Sequence, residues 1–192
     1  MQFDEVALDA GIVSNEIILF RNTLAHQQLI GVYPDGVGFG NISEISPTGN
    51  SFIISGTQTG SIKTATAKDF CVVTEYDISK NFLRCRGLIK ASSEALTHAA
   101  FYSADNNIRA VIHVHHFQLW EKLLQTVPTT NKDVPYGTTE MAGEVTKLLH
   151  TQDAMEKKII VTAGHPEGIF TFGEYLQQAY DVLMSYVQST HY

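Results

Sequence analysis

Positive charge is scarce in this chain of 192 residues: 13 lysines and arginines stand against 20 aspartates and glutamates, a formal net charge of −7. That balance leaves no basic footprint for a phosphodiester backbone, so nucleic acid is not an expected partner. An anionic substrate would need a local positive site, such as a helix N-terminus or a metal ion. Cysteine is nearly absent: Cys71 and Cys85 are the only two, both in strand-like segments. They read as buried thiols in a reducing compartment rather than as a disulfide framework. No apolar run is long enough to span a bilayer, and Met1-Gln2-Phe3-Asp4-Glu5 lacks the basic region and apolar core of a signal peptide. The expectation is a cytoplasmic protein with no membrane partner. Internal repeats, low-complexity segments and linkers are missing as well. What is present, 44% hydrophobic and 17% charged residues, suits a single domain over 1–192 with a sizeable core.

The rest of the chain is organised around Lys90 to His116. Lys90-Ala91-Ser92-Ser93-Glu94 places two hydroxyls and a carboxylate at the start of a helix whose face is Leu96, Ala99, Ala100 and Phe101. Ser92 or Ser93 is the expected N-cap, and free N–H groups there favour an anion. Arg109 to His115 reads as a strand with Val111, His113 and His115 on one face. Two histidines at i and i+2 on a strand point the same way, which suits two imidazoles on one metal ion. Each motif alone is commonplace, a helix start or a strand end. Together in one helix-and-strand unit they favour a metal site beside a carboxylate.

Taken in order, Ser14 to Leu29 predicts an amphipathic helix ended by Gly31 and Pro34. Gly36 to Ser43 is glycine-rich and leads into a strand. Ser51 to Ser55 is a short strand running into Gly56-Thr57-Gln58-Thr59-Gly60, a polar turn able to cradle a phosphate through its N–H groups. It is not a Walker motif, because no Gly-Lys-Ser/Thr follows. Phe70 to Tyr76 and Phe82 to Arg86 read as paired strands. After the central unit come helices over Phe117 to Leu124 and Thr139 to His150, strands over Lys158 to Thr162 and Ile169 to Phe172, and a closing helix over Glu174 to Val187. That order suggests one mixed or antiparallel sheet with helices on its faces.

Four motifs, in this order, resemble the class II aldolase/adducin family: Gly40-Asn41-Ile42-Ser43, Ser55-Gly56-Thr57, Lys90-Ala91-Ser92-Ser93-Glu94 with His98 four residues on, and His113-Val114-His115. The resemblance runs roughly from Glu16 to Val187. It implies an α/β/α layered fold with a central, largely antiparallel sheet, and a homotetramer with sites at subunit interfaces. It further implies that His113, His115 and His165 ligate Zn²⁺ or another divalent metal, and that Glu94 ligates the resting metal or takes the substrate proton. Gly40, Asn41, Ser55, Gly56, Ser92 and Ser93 would then cradle a phosphate.

The implied activity is aldolase-type cleavage of a small phosphorylated ketose through an enediolate, whose charge a metal ion stabilises as a Lewis acid. A sugar-phosphate 4-epimerase, a methylthioribulose-phosphate dehydratase and a non-catalytic adducin-like protein share the pattern as alternatives. Glu94 in the base position favours the aldolase. The sequence departs from the family at three places. Pro166 and Glu167 stand between His165 and Gly168, where the family has His-Gly. The segment that supplies a tyrosine to a neighbouring subunit is short, with Tyr136 nearby. The C-terminal tail is reduced, which makes Tyr186 and Tyr192 candidates by location only.

Overall fold

Strand alternation sorts the apolar residues of this chain onto two sheet faces, and helices close a core over each. The structure, a computed structural model, describes residues 1–49 and 51–189. His191 and Tyr192, the latter a candidate by location, lie outside the described residues. The chain runs β1 (Gln2–Glu5), α1 (Asn15–His26), β2 (Gly31–Val32), β3 (Gly38–Phe39), β4 (Asn41–Ile45), β5 (Phe52–Ser55), β6 (Phe70–Asp77), β7 (Phe82–Gly87), α2 (Ala95–Ala104) and β8 (Ala110–His115). It continues through α3 (Phe117–Leu123), α4 (Thr139–Leu149), α5 (Gln152–Lys157), β9 (Ile159–Val161), β10 (Gly168–Gly173) and α6 (Leu176–Gln188).

Eight strands form one sheet in the order β1-β7-β6-β5-β4-β8-β10-β9, and β2 and β3 form a separate hairpin. Only β1 runs parallel to its neighbour among the described strands of that sheet. Ile42, Ile112, Val114 and Ile169 point to one face, where α1, α3 and α6 cover them. Val111, Phe170 and Phe172 point to the other, under α2 and α4. The result is the expected three-layer α/β/α arrangement around a largely antiparallel sheet. No described helix is long and apolar enough to cross a membrane.

Two elements escape a reading by periodicity. β1 has one half-buried residue and three exposed ones, so its pairing with β7 leaves no apolar alternation to see. α5 is six residues long and buries only Ala154. Cys71 and Cys85 are free and buried, as expected.

β8 is the strand that positions the site. It lies between β4 and β10, with Asn41 and Phe170 directly opposite His113 and Gly168 opposite His115. Residues opposite one another share a face, so Asn41, His113 and Phe170 converge by register alone.

Candidate metal centre

His113 is fully buried and its ring stacks on Phe170, with centroids 4.0 Å apart and planes at 24°. His115 follows on the same face, where a side chain at Gly168 would meet Thr162 Oγ1 at 2.3 Å and the His113 ring at 3.2 Å. Glycine at 168 keeps this crowded corner open. The Nε2 atoms of His113 and His115 are 3.2 Å apart. Two imidazole nitrogens on one tetrahedral zinc ion at 2.0–2.1 Å would stand about 3.4 Å apart, so the pair fits a shared divalent cation. His165 comes from the turn between β9 and β10 and completes a group whose ligand atoms all lie within 4.8 Å of one another.

That turn is tied down on several sides. Thr162 Oγ1 donates to the His165 carbonyl at 2.9 Å, and the Gly168 N–H donates to it at 3.1 Å. The His116 N–H donates to the Glu167 carbonyl at 3.1 Å, pinning the turn to the end of β8. Pro166 and Glu167 therefore leave His165 with the other two histidines. Tyr136 stacks on the His165 ring at 4.3 Å, which brings a tyrosine from the 131–138 loop to the rim. Tyr186 instead packs against the α1/α6 core, away from the cleft.

Glu94 closes the centre on the α2 side. One carboxylate oxygen is 3.2 Å from His113 Nε2, and the other is 3.5 Å from His165 Nδ1. Asn41 Nδ2 donates to Glu94 at 2.8 Å and to Ser92 Oγ at 3.1 Å. Burial alone would raise the Glu94 carboxyl. His113, His165 and the Asn41 hydrogen bond outweigh it and hold the group well below the usual carboxylate range. The histidines move the other way from protonation: burial, helped by neighbouring imidazoles, lowers His115 to about 2 and His165 to about 4. Neutral imidazoles at His115 and His165 can take a cation without first releasing protons.

The helix begins one residue later than the serine motif suggests. The cap position falls on Glu94, because Ser92 makes the turn: its carbonyl accepts from the Ala95 N–H at 3.1 Å, and its Oγ from the Glu94 N–H at 3.3 Å. Ser92 Oγ thus accepts from Glu94 N–H and Asn41 and keeps its own proton to donate. Ser93 is exposed and faces the cleft.

The cleft has a volume of ≈ 620 Å³, within the range of small-molecule sites, about 300–1,000 Å³. Gly40, Asn41, Gly56, Ser92, Ser93 and Glu94 all line it. Ser55 does not; it is buried, and its Oγ accepts from the Ile42 N–H at 3.2 Å, bracing β4 against β5. Gly40 has φ +76° and no room for a side chain, with the His113 carbonyl 3.0 Å from where Cβ would be. The Gly56 and Thr57 N–H groups are already donated to the carbonyls of Asp69 and Lys90 at 2.8 and 2.9 Å. Any anion in this turn must draw on donors further along it, toward Gln58 to Gly60.

Among the described residues three carboxylates, Asp35, Glu94 and Glu167, line the cleft, and no lysine or arginine does. A built-in cation, Arg21 on α1, lies behind the Thr59 end of the cleft lining. It is fully buried beneath the turn and donates to the carbonyls of Thr59 and Ile62. Arg21 draws those carbonyls inward and adds positive potential from below. It escapes a sequence reading because it sits within an amphipathic helix, where arginine usually marks the wet face.

Tyr33 is the other residue the motifs do not reveal. It follows β2, and its hydroxyl lies 2.7 Å from His115 Nδ1 and donates to Glu167 at 2.7 Å. Burial first, then the Glu167 hydrogen bond, pushes this phenol far above its ordinary pKa. His98, one helical turn from Glu94, is a core residue: its Nδ1 is 2.6 Å from Ser43 Oγ, and burial lowers it to about 3. His116 points away and caps α3, accepting from the Leu119 N–H at 3.2 Å.

A family model described as Class II Aldolase and Adducin N-terminal domain matches residues 35–191. No curated protein matches the chain in sequence. Among solved structures it is similar to an L-fuculose 1-phosphate aldolase, at 19% identity and a TM-score of 0.70 over 94% of this chain and 85% of that one. YgbL of Escherichia coli, whose description ranges over aldolase, epimerase and decarboxylase, aligns at 18% identity and a TM-score of 0.66 over 88% and 82% of the two chains. A sugar-phosphate aldolase from Thermotoga maritima aligns at 16% identity and 0.64 over 92% of each. At such identities the likeness speaks for the fold.

Proposed function

The chain belongs to the class II aldolase/adducin family, and from that premise we propose that it is a metal-dependent aldolase-type lyase acting on a small phosphorylated ketose. The observation that carries this reading is the Glu94 carboxylate, within 3.5 Å of two of the three grouped histidines and hydrogen-bonded through Asn41 to the Ser92 hydroxyl.

His113, His115 and His165 would hold the ion, and zinc suits three imidazoles and a redox-free task. A divalent cation there supplies Lewis-acid stabilisation of the negative charge that develops beside a carbonyl when a C–H or C–C bond breaks. The protein does the rest. Glu94 stays ionised and takes the proton from the carbon next to the carbonyl at a carboxylate oxygen; Asn41 holds that oxygen in place. Ser92 donates its free proton to the anionic end, with Ser93 and the Gly56–Gly60 turn alongside. The turn stays open because Gly60 packs on β2, its Cβ position only 1.9 Å from the Gly31 carbonyl. Binding energy from the phosphate then fixes the reacting carbon over the carboxylate.

A 4-epimerase working by the same bond cleavage, or a dehydratase, would need the same ion; Glu94 favours the aldolase over both. A homotetramer that completes the cleft at a subunit interface is part of the proposal, supported by the exposed Val37 and Tyr136 at its rim, 51% and 52% accessible. The test is exchange of the α-protons of dihydroxyacetone phosphate and larger phosphorylated ketoses with solvent deuterium, using zinc-loaded protein. Exchange with at least one of them is expected. A complete lack of exchange would leave the non-catalytic adducin-like reading in its place.

A further inference from the structure

The tyrosine and the glutamate that meet at His115 lie 134 residues apart and belong to no motif of the site. Tyr33 precedes the segment that the family model matches, and Glu167 is one of the two residues standing between His165 and Gly168. Their geometry has a consequence for one proton. Tyr33 has a single O–H, which it donates to Glu167 Oε2 at 2.7 Å. Toward His115 Nδ1, also at 2.7 Å, the phenol oxygen can then only accept. Glu167 itself is 3.9 Å from that nitrogen, too far for a direct hydrogen bond, so Tyr33 is the necessary link. Glu167 reaches it from a left-handed backbone, φ +70°, a conformation that residues bearing a side chain rarely adopt.

We propose that Tyr33 and Glu167 are positioning residues that lock His115 in its Nδ1–H tautomer and leave its Nε2 lone pair facing His113 and His165. The acceptor Glu167 decides the direction of the Tyr33 proton, and the direction of that proton decides the tautomer. An imidazole is a ligand only through an unprotonated nitrogen, and the hydrogen bond on its other nitrogen sets which one that is. The value of this arrangement rests on the reading of His115 as a metal ligand; the tautomer itself does not.

Long-range ¹H–¹⁵N correlation spectra of metal-free, histidine-labelled protein read the tautomer directly. The wild type should show His115 protonated at Nδ1. Tyr33→Phe should lose that preference. Glu167→Ala should reverse it, since the Tyr33 proton then turns toward Nδ1. Glu167→Gln keeps a carbonyl acceptor and should restore the wild-type tautomer, a rescue that a merely structural role would not produce. The His98 signal, held by Ser43 in the core, reports that each variant is folded. Zinc titration of the same samples should weaken about 10–100-fold in Tyr33→Phe and Glu167→Ala and little in Glu167→Gln. An unchanged His115 tautomer in both Tyr33→Phe and Glu167→Ala overturns the inference. If the tautomer shifts as described while the wild type binds no zinc, the inference stands and the metal-ligand reading fails.

Discussion

β8 and the turn between β9 and β10 deliver imidazoles to the same place by different means. β8 is a central strand whose histidines are 0% and 5% exposed and whose neighbours are fixed by sheet register. The turn is irregular. It carries a residue at φ +70°, and its histidine is held by hydrogen bonds within the turn to its carbonyl and by Tyr136, from a distant loop, stacked on one face. A period of two suffices to align the strand pair. The third imidazole depends on packing between loops far apart in sequence. Damage to the strand should therefore cost stability first, and damage to the turn should cost the third ligand first.

Glu94 touches both regions, His113 on the strand and His165 on the turn, and its loss should have the largest effect. Glu94→Gln is expected to keep the fold and much of the metal but to lose roughly 10²–10⁴-fold in turnover, since an amide cannot accept the proton. α-Proton exchange should fall in parallel. A wild-type exchange rate in that variant would move the base elsewhere, with Glu167 the next residue to test.

On the strand side, Phe170→Ala removes the ring under His113. A fully buried phenylalanine truncated to alanine costs about 3–5 kcal/mol, to be read from denaturant midpoints. On the turn side, Gly164→Ala places a Cβ 2.1 Å from the Val134 carbonyl, so the turn must shift. About 1–3 kcal/mol of stability should go, and zinc affinity should drop by more than that loss of stability would suggest. If Phe170→Ala weakened zinc more than Gly164→Ala did, the division between the two regions would not hold.

Acid gives a smaller and graded effect. His115 and His165 are depressed to about 2 and about 4, and His98 to about 3, against 6.5 when exposed. Below pH 6.5 the unfolded chain binds protons that the folded protein refuses, so stability falls as pH falls. Each group contributes on the order of 1 kcal/mol per pH unit. The Glu94 carboxyl, held low in the folded protein, adds in the same direction below its usual range. The histidine of the turn drops out of the loss below about pH 4, and those of the strand and helix continue. Thermal unfolding of metal-free protein between pH 7 and 4 checks this; flat stability over that range would remove the buried neutral histidines from the account.

The difference between the two regions also marks what could be read from the sequence. His113 and His115, the helix behind Glu94 and the cleft-lining Asn41 and Ser92 follow from local patterns: alternation, a helix start, glycine-containing turns. The layered α/β/α fold follows from the element order and the family resemblance. Strand order does not follow in full, because the pairings of β1 with β7, β4 with β8 and β8 with β10 join strands distant in sequence and are chosen by long-range packing. Ser55 looks like a cradle residue beside Gly56, yet register turns its hydroxyl toward Ile42. Tyr33 carries no local sign of its role, since what makes it functional is a glutamate 134 residues away. Arg21 is similar: only the turn carbonyls above it show why a guanidinium is buried there.

The central claim is that the strand pair and the turn histidine hold one divalent ion between them. It is tested most directly by metal analysis and X-ray absorption on protein purified without chelator, alongside His113→Ala. The account predicts one ion per wild-type chain, a first shell with three imidazole nitrogens at about 2.0–2.1 Å for zinc, and loss of most of the metal in the variant. Full occupancy in His113→Ala, or a wild-type shell without imidazole, would contradict it.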